Sequence, residues 1–328
     1  MTIRAAIVGC GLVGRKRANA LGAQVAACVD IDLERARSLA NQHGADASAD
    51  WREVVLRQNI DVVFVATING LLAEICTAAL EAGKHVLVEK PAARNVLELD
   101  AVIEAQHRSG KLVRVGFNHR YHPALLKARQ LFEDGVLGEM MFVRGRYGHG
   151  GRLGYEQEWR ADPARSGGGE LIDQGVHLID LARLFLGDFT DIMGEATTFF
   201  WKMPVDDNAF LHLRTGTGRT AFLHASCTEW KNLFSLEIYG ALGKLHVEGL
   251  GGSYGLERLT WYRMLPEMGP PETTAWEYPG ADTSWDVETT EFLEDIRLGR
   301  APAAGLVDAR AALVVVDRIY RQSGHELR

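Results

Sequence analysis

The sequence predicts a doubly wound α/β domain over residues 1–118, followed by an α+β domain over residues 119–328 with an open, mainly antiparallel sheet. Three observations predict this. The first third of the chain alternates short apolar runs with helical periodicity. The later half carries several strand-like segments in succession with no helix between them. At 328 residues the chain is also longer than one hydrophobic core usually serves.

The elements follow in order. Strands are expected at 3–8, 24–29, 61–65, 85–88 and 112–116, and helices near 12–21, 32–42, 71–82 and 95–109. Val62-Val63-Phe64-Val65 and Val86-Leu87-Val88 are continuously apolar, as parallel strands covered on both faces require. Gly44, Gly83 and Gly110 punctuate them. Beyond residue 118 the expectation is a helix at Pro123–Glu133, an extended stretch Met140–Tyr147, a glycine-rich loop Gly148–Gly154 and one helix from about Leu171 to Phe185. Strands are expected at 190–201, 206–214, 219–227, 232–239 and 243–248, with Gly216-Thr217-Gly218 as a hairpin turn. The segment 249–278 reads as a long loop, and helices near 284–298 and 308–321 close the chain and are free to pack back on the first domain.

The first strand runs into Gly9-x-Gly11-x-x-Gly14, which with Leu12 and Val13 forms a turn suited to a pyrophosphate at a helix N-terminus. Asp30 ends the second strand 21 residues after Gly9, where a carboxylate binds an adenine ribose hydroxyl. The first cation after it is Arg35, already inside the next helix, so NAD is expected over NADP. An ordinary βαβ turn is the alternative.

Composition narrows the classes. With 47% hydrophobic and 24% charged residues the chain reads as an ordinary soluble protein. Cys10, Cys28, Cys76 and Cys227 are scattered, which suggests neither a disulfide framework nor a zinc site and fits a reducing cytoplasm. The first strand begins within two residues of Met1 and no apolar run approaches a membrane span, so neither a signal peptide nor a membrane partner is expected. The net charge of −7 argues against nucleic-acid binding. Residues 108–165 nevertheless hold eleven Lys/Arg against six acids. That surplus suits an anionic ligand or, equally, solvated helix faces.

Three clusters carry the chemistry. Glu89-Lys90-Pro91 puts a lysine at the C-terminal end of a buried strand, where α/β ligands bind and an ammonium can hydrogen-bond a developing alkoxide; a surface lysine is the alternative. Gly167-Gly168-Gly169 leads to Asp173 and His177, i,i+4 neighbours on a helix, where a carboxylate orients an imidazole for acid/base work. The alternatives are a surface ion pair, a satisfied core histidine or a metal site, and the last lacks a third ligand, so no metal is expected. Trp159-Arg160 offers a flat apolar face and a phosphate-binding fork, or simply a buried Trp beside a surface Arg.

Gly9–Gly14, Asp30, Ala66-Thr67-x-Asn69, Gly83-Lys84-His85-Val86-x-Val88-Glu89-Lys90-Pro91, Gly116-Phe117-Asn118 and Gly168-Gly169-x-Leu171-x-Asp173-x-Gly175-x-His177 together resemble the Gfo/Idh/MocA oxidoreductases. These are sugar and cyclitol dehydrogenases related to glucose–fructose oxidoreductase and inositol dehydrogenase. The resemblance implies a Rossmann domain followed by a domain whose open sheet often buries its face in a homodimer or homotetramer. It implies Lys90, Asp173 and His177 as the catalytic group, and Thr67, Asn69, Glu89, Lys90, Asn118, Trp159 and Arg160 as cofactor neighbours. The chain departs from the pattern at Ile68-Asn69-Gly70-Leu71-Leu72, where many relatives carry histidines.

The expected function is hydride transfer between NAD and a secondary hydroxyl or ketone of a sugar, cyclitol or nucleotide sugar. His177 would take the hydroxyl proton, Lys90 would stabilise the oxyanion, and Asp173 would hold both in place. Lys90, Arg120, Tyr121, His149, Arg152, Asp173, His177 and Lys231 are the expected substrate contacts, with His122, Glu229, Trp230 and Asn232 as further polar or aromatic candidates near predicted turns. Two rivals are a redox-neutral lyase or glycosidase with tightly held NAD, which would show no net NADH production, and a non-catalytic dinucleotide sensor.

Overall fold

The computed structural model describes residues 3–325. The chain divides into two compact units, residues 1–117 with 285–310 and residues 118–284 with 311–328. Up to residue 117 it forms β1 (Ala5–Val8), α1 (Leu12–Leu21), β2 (Val25–Val29), α2 (Leu33–His43), β3 (Asp46–Ser48), α3 (Trp51–Val55), β4 (Val62–Val65), α4 (Asn69–Glu81), β5 (His85–Glu89), α5 (Val96–Ser109) and β6 (Val113–Gly116). All six strands are parallel, in the order β3-β2-β1-β4-β5-β6. This is the dinucleotide-binding order, and its switch point lies between β1 and β4.

Local sequence explains the boundaries. Asp32 caps α2 by accepting from Glu34 N and Arg35 N, Asn95 caps α5 from Glu98 N, and Gly44 and Gly110 end these helices in the left-handed region. The four central strands, β1, β2, β4 and β5, are buried almost along their whole length. Ile3, Ile7, Leu21, Cys28, Leu39 and Phe64 share a core with Phe292 and Leu293 from a helix near the C-terminus. The short edge strand β3 and helix α3 are additions to the expected elements. Asp46-Ala47-Ser48 has no apolar run, and only pairing with β2 makes it a strand.

The second unit begins with α6 (Pro123–Glu133) and β7 (Met140–Gly148). Next come α7 (Pro163–Ser166), a π-helical turn at Leu171–Gly175, and α8 (Val176–Leu186). Strands β8 (Phe189–Thr197), β9 (Asn208–Thr215), β10 (Thr220–Ser226), β11 (Leu233–Gly240), β12 (Gly243–Glu248), β13 (Glu257–Arg263) and β14 (Glu272–Tyr278) follow, then α9 (Ser284–Leu298) and α10 (Leu306–Gln322). The sheet order is β14-β13-β12-β11-β7-β10-β9-β8, antiparallel except for the parallel pair β7–β10. The expected hairpin turn is present, with Gly218 N donating to Thr215 O at 3.0 Å. The expected loop 249–278 is corrected, because it contains β13 and β14. Most of β14 is exposed, so burial leaves no alternation in its sequence to read.

One face of this sheet packs on α6 and α8 through Val143, Leu213, Leu223, Leu236, Leu245 and Leu259, all essentially buried. The opposite face presents cross-strand stacks, Phe210 on His224, His212 on Phe222 and Phe142 on Tyr239. Phe210 and Phe222 are 43% and 52% exposed.

Candidate active site

The glycine turn has the geometry a pyrophosphate needs. Gly9 has φ +96°, and a Cβ there would stand 2.4 Å from Ala66 O; a Cβ on Gly14 would stand 1.8 Å from Gly9 O. Only glycine lets strand, turn and helix close up this tightly. At Gly11 the position of a Cβ has no protein atom within 4 Å, and no side chain caps the N-terminus of α1. Leu12 at that terminus is 76% exposed. Open space before uncapped amides fits a dinucleotide phosphate.

Asp30 is buried at the end of β2, accepting from Cys10 N at 2.8 Å and Asp32 N at 3.0 Å. Those bonds fix its carboxylate and leave acceptor capacity for a ribose hydroxyl. The expectation that no cation stands beside it is corrected. Arg35 lies in the first turn of α2, and its guanidinium folds back to 3.6 Å from Asp30 and 3.5 Å from Asp32.

Lys90 follows β5, half-buried, and its bond to Pro91 is cis. Glu89 is taken up from within its own unit. Arg17, fully buried on α1, donates from Nε to Glu89 Oε1 at 2.8 Å. Its Nη2 lies 2.6 Å from Glu288 Oε2 on α9, and its plane lies over the Trp285 ring at 4.5 Å. Neither Glu288 oxygen has an aligned hydrogen bond among the described residues. Burial pushes the Glu288 carboxyl up to about 7, with Arg17 pulling it back and Glu89 adding to the rise. Thr67 donates to Ile68 O at 3.3 Å, and Asn69 is buried at the start of α4.

In the second unit the single helix expected at 171–185 is corrected to a π turn, Leu171–Gly175, followed by α8. Tertiary contacts impose it. Asp206 accepts from Gly169 N at 2.9 Å and Leu171 N at 2.7 Å, and Tyr320 donates to Asp206 at 2.7 Å. Asp173 sits in the π turn, so it does not share one regular α-helix with His177. π turns are frequent at functional sites.

Arg160 donates from Nε to Asp173 Oδ2 at 3.0 Å and stacks over Trp159 at 4.6 Å. The pair expected beside the cofactor thus has its cation on Asp173, the acid of the expected catalytic group. His177 is 3% exposed and stacks on the buried His119, with ring centroids 3.7 Å apart and planes 28° apart. Tyr147 meets both rings edge-on, and burial holds its hydroxyl well above the usual tyrosine range.

Most other expected contacts have internal partners. Arg120 is ion-paired with Asp180 inside the unit, Tyr121 is buried, and Arg152 is exposed and paired with Glu158 at 2.7 Å. Asn118 donates to Ser284 Oγ at 3.0 Å. His149 Nε2 lies 3.5 Å from Glu170, which also accepts from Tyr155 at 2.8 Å. Burial depresses the imidazole, and the Glu170 hydrogen bond and charge outweigh it, so His149 holds its proton more tightly than usual. Lys231 is exposed on a turn.

The basic surplus dissolves in the same way. Arg108, Arg114, Arg120, Arg129, Arg144, Arg146, Arg152 and Arg160 each face a carboxylate. Sequence reasoning missed Arg17, His119, Glu170 and Tyr320. None stands in a recognisable spacing, and His119 is flagged only by its place after Gly116-Phe117-Asn118.

Comparison with known proteins agrees with this geometry. Residues 3–117 match the family described as "Oxidoreductase family, NAD-binding Rossmann fold", and residues 125–246 match the GFO/IDH/MocA C-terminal domain. Levoglucosan dehydrogenase from Pseudarthrobacter phenanthrenivorans is 30% identical over 252 residues, 66% of this chain and 63% of that protein. Inositol 2-dehydrogenase from Salmonella typhimurium is 32% identical over 155 residues, 45% of this chain and 46% of the relative. The aligned region therefore spans just under two thirds of the first relative and about half of the second.

Among solved structures, levoglucosan dehydrogenase in complex with NADH and levoglucosan has the same fold, with a TM-score of 0.88 and 23% identity over 99% of this chain and 98% of that one. An oxidoreductase domain protein from Kribbella flavida has a TM-score of 0.88 at 25% identity, again over 99% and 98%. No helix among the described residues is long and apolar enough to cross a membrane. With its glycine turn and Asp30 on a six-stranded parallel sheet, its open eight-stranded sheet, and matches to the N- and C-terminal domains of one family, this chain belongs to the Gfo/Idh/MocA oxidoreductases.

Proposed function

We propose that this protein is an NAD-dependent dehydrogenase or reductase acting on a secondary hydroxyl or ketone of a sugar or cyclitol. The observation that carries the reading is the buried His177 imidazole beside a carboxylate-bearing π turn, in a chain whose other unit holds a glycine turn and Asp30 fit for NAD. When bound, NAD supplies the hydride acceptor. Gly9, Gly11, Leu12, Val13 and Gly14 would cradle its pyrophosphate, and Asp30 its adenine ribose. His177 accepts the hydroxyl proton, Lys90 donates a hydrogen bond to the oxygen as charge builds on it, and Asp173, anchored by Arg160, orients the group. The internal pairing of the basic segment favours an uncharged polyol over a phosphorylated one.

The test is a panel of free sugars, cyclitols and nucleotide sugars read by NADH formation. Lys90→Ala and His177→Ala should each lower turnover of the best substrate by roughly 10²–10⁴-fold while leaving NAD affinity within a few-fold. Near-normal turnover in His177→Ala would reject the assignment. We also propose that the exposed sheet face pairs with a second copy of the chain, in a homodimer or homotetramer. Among the described residues its aromatic rows leave Phe210 and Phe222 about half exposed, apolar area suited to an interface.

A further inference from the structure

The stack of His119 on His177 is not needed to fill space, since a phenyl ring would fill it equally well. Two imidazoles with centroids 3.7 Å apart and both nearly inaccessible to solvent have a specific electrostatic property. Once one carries a proton, the other binds its own at least tenfold more weakly, because the second charge is placed against the first with little water to screen it.

The tautomer of His119 is also set. Ser284 Oγ donates to Asp282 Oδ1 at 2.6 Å, so it accepts from Asn118 Nδ2 at 3.0 Å. That orients the amide with Asn118 Oδ1 towards His119 Nδ1, 3.3 Å away, and the proton of neutral His119 therefore sits on Nδ1. A carboxylate three links distant thus holds one ring of the stack in one tautomer.

We propose that His119 is a positioning residue for His177, and that the two act as a pair holding a single proton near neutral pH, with His119 the neutral member there. The inference rests on the reading of His177 as acid/base. A neutral ring stacked on His177 fixes its plane and leaves the proton exchange to His177 alone. Within the second unit, the titratable and charged groups near the stack include Asp173 with Arg160 from the π turn side, Tyr147 from β7 with Tyr254 beyond it, and Glu170, whose charge acts on both tyrosines. Arg120 is paired to Asp180 on α8, and His122, edge-on to His119 at 5.6 Å, is bonded to Glu257 at 3.0 Å and near Asp282. The nearby cations Arg160 and Arg120 and the imidazole of His122 each already face a carboxylate.

The experiment is a side-chain NMR titration of ¹⁵N-histidine-labelled full-length protein, without substrate. His177 should titrate alone, with His119 remaining the neutral Nδ1–H tautomer until at least one pH unit lower. In His177→Phe, His119 should gain its proton about one unit or more higher than in the wild type. Independent titration of the two rings, or first protonation of His119, overturns the proposal, and the wild-type titration alone can deliver either result. Turnover adds a separate readout. His119→Ala, which removes the stack, should lower kcat about tenfold with little change in KM, and His119→Phe should restore most of it. Coupled titration together with an active His177→Ala would reject the catalytic role of His177 and this positioning role together. Uncoupled titration with an inactive His177→Ala would reject only the pair.

Discussion

Glu288 gives the sharpest test of how the first unit is held together. Its carboxyl is fully buried beside Arg17, yet Arg17 is already bonded to Glu89, and the Glu288 oxygens lack aligned hydrogen bonds among the described residues. Burial penalises the charged form and the Glu89 charge adds to that, while Arg17 and Arg114 offset it only in part, so Glu288 binds a proton up to about 7 in place of its ordinary 4.5. The sign follows from linkage. Between these values the folded state holds more protons than the unfolded chain, so stability falls as pH rises from about 4.5 to about 7 and then levels off. That rise corresponds to roughly 3 kcal/mol in all, more than half of which is still present at pH 5.5. Glu288→Gln removes the ionisation and keeps the shape. Relative to wild type it should therefore gain about 2 kcal/mol between pH 5.5 and pH 8.5, measured from urea unfolding of the two proteins at each pH. If pairing with Arg17 instead kept Glu288 ionised throughout this range, the substitution would break a buried pair and destabilise by several kcal/mol at pH 5.5 and pH 8.5 alike. A difference that is independent of pH, or that worsens on going alkaline, refutes the reasoning.

Two further outcomes are expected. Wild-type protein should bind NAD more tightly than NADP, and Asp30→Ala should narrow that preference tenfold or more, because the carboxylate that repels a 2′-phosphate is gone and Arg35, 3.6 Å from Asp30, keeps only Asp32 as its partner; equal dissociation constants in the wild type, by titration calorimetry, would defeat this. Light scattering at micromolar protein should give an oligomer. Phe210→Glu with Phe222→Glu, placed on the exposed sheet face, should shift it to the monomer, and a wild-type monomer would end that reading.

Much of the architecture is legible in the linear chain because it depends on local physics. The parallel strands announce themselves as unbroken apolar runs such as Val62–Val65, since both faces of each strand are buried. Helix limits are set by neighbours in sequence, as with Asp32 and Asn95 at N-caps and Gly110 at a C-terminus. The glycine turn is legible because close approach of backbones excludes every other residue. By the same logic Asp30, Lys90, Asp173 and His177 can be singled out, since they stand at fixed offsets from strand ends and glycines.

What only the tertiary structure decides is the partner of each charged group and the fate of segments without a pattern of their own. The edge strands β3 and β14 exist through pairing; β3 has no apolar run of its own and most of β14 is exposed. The π turn at Leu171–Gly175 is imposed by Asp206 and Tyr320, 35 and 149 residues further along the chain than Leu171. Arg35 beside Asp30, Arg160 on Asp173, Arg17 between two carboxylates and His119 on His177 all depend on where long side chains can reach once the elements are packed. Sequence spacing carries no record of such contacts, because desolvation and Coulomb energy act through space between groups that the chain keeps far apart.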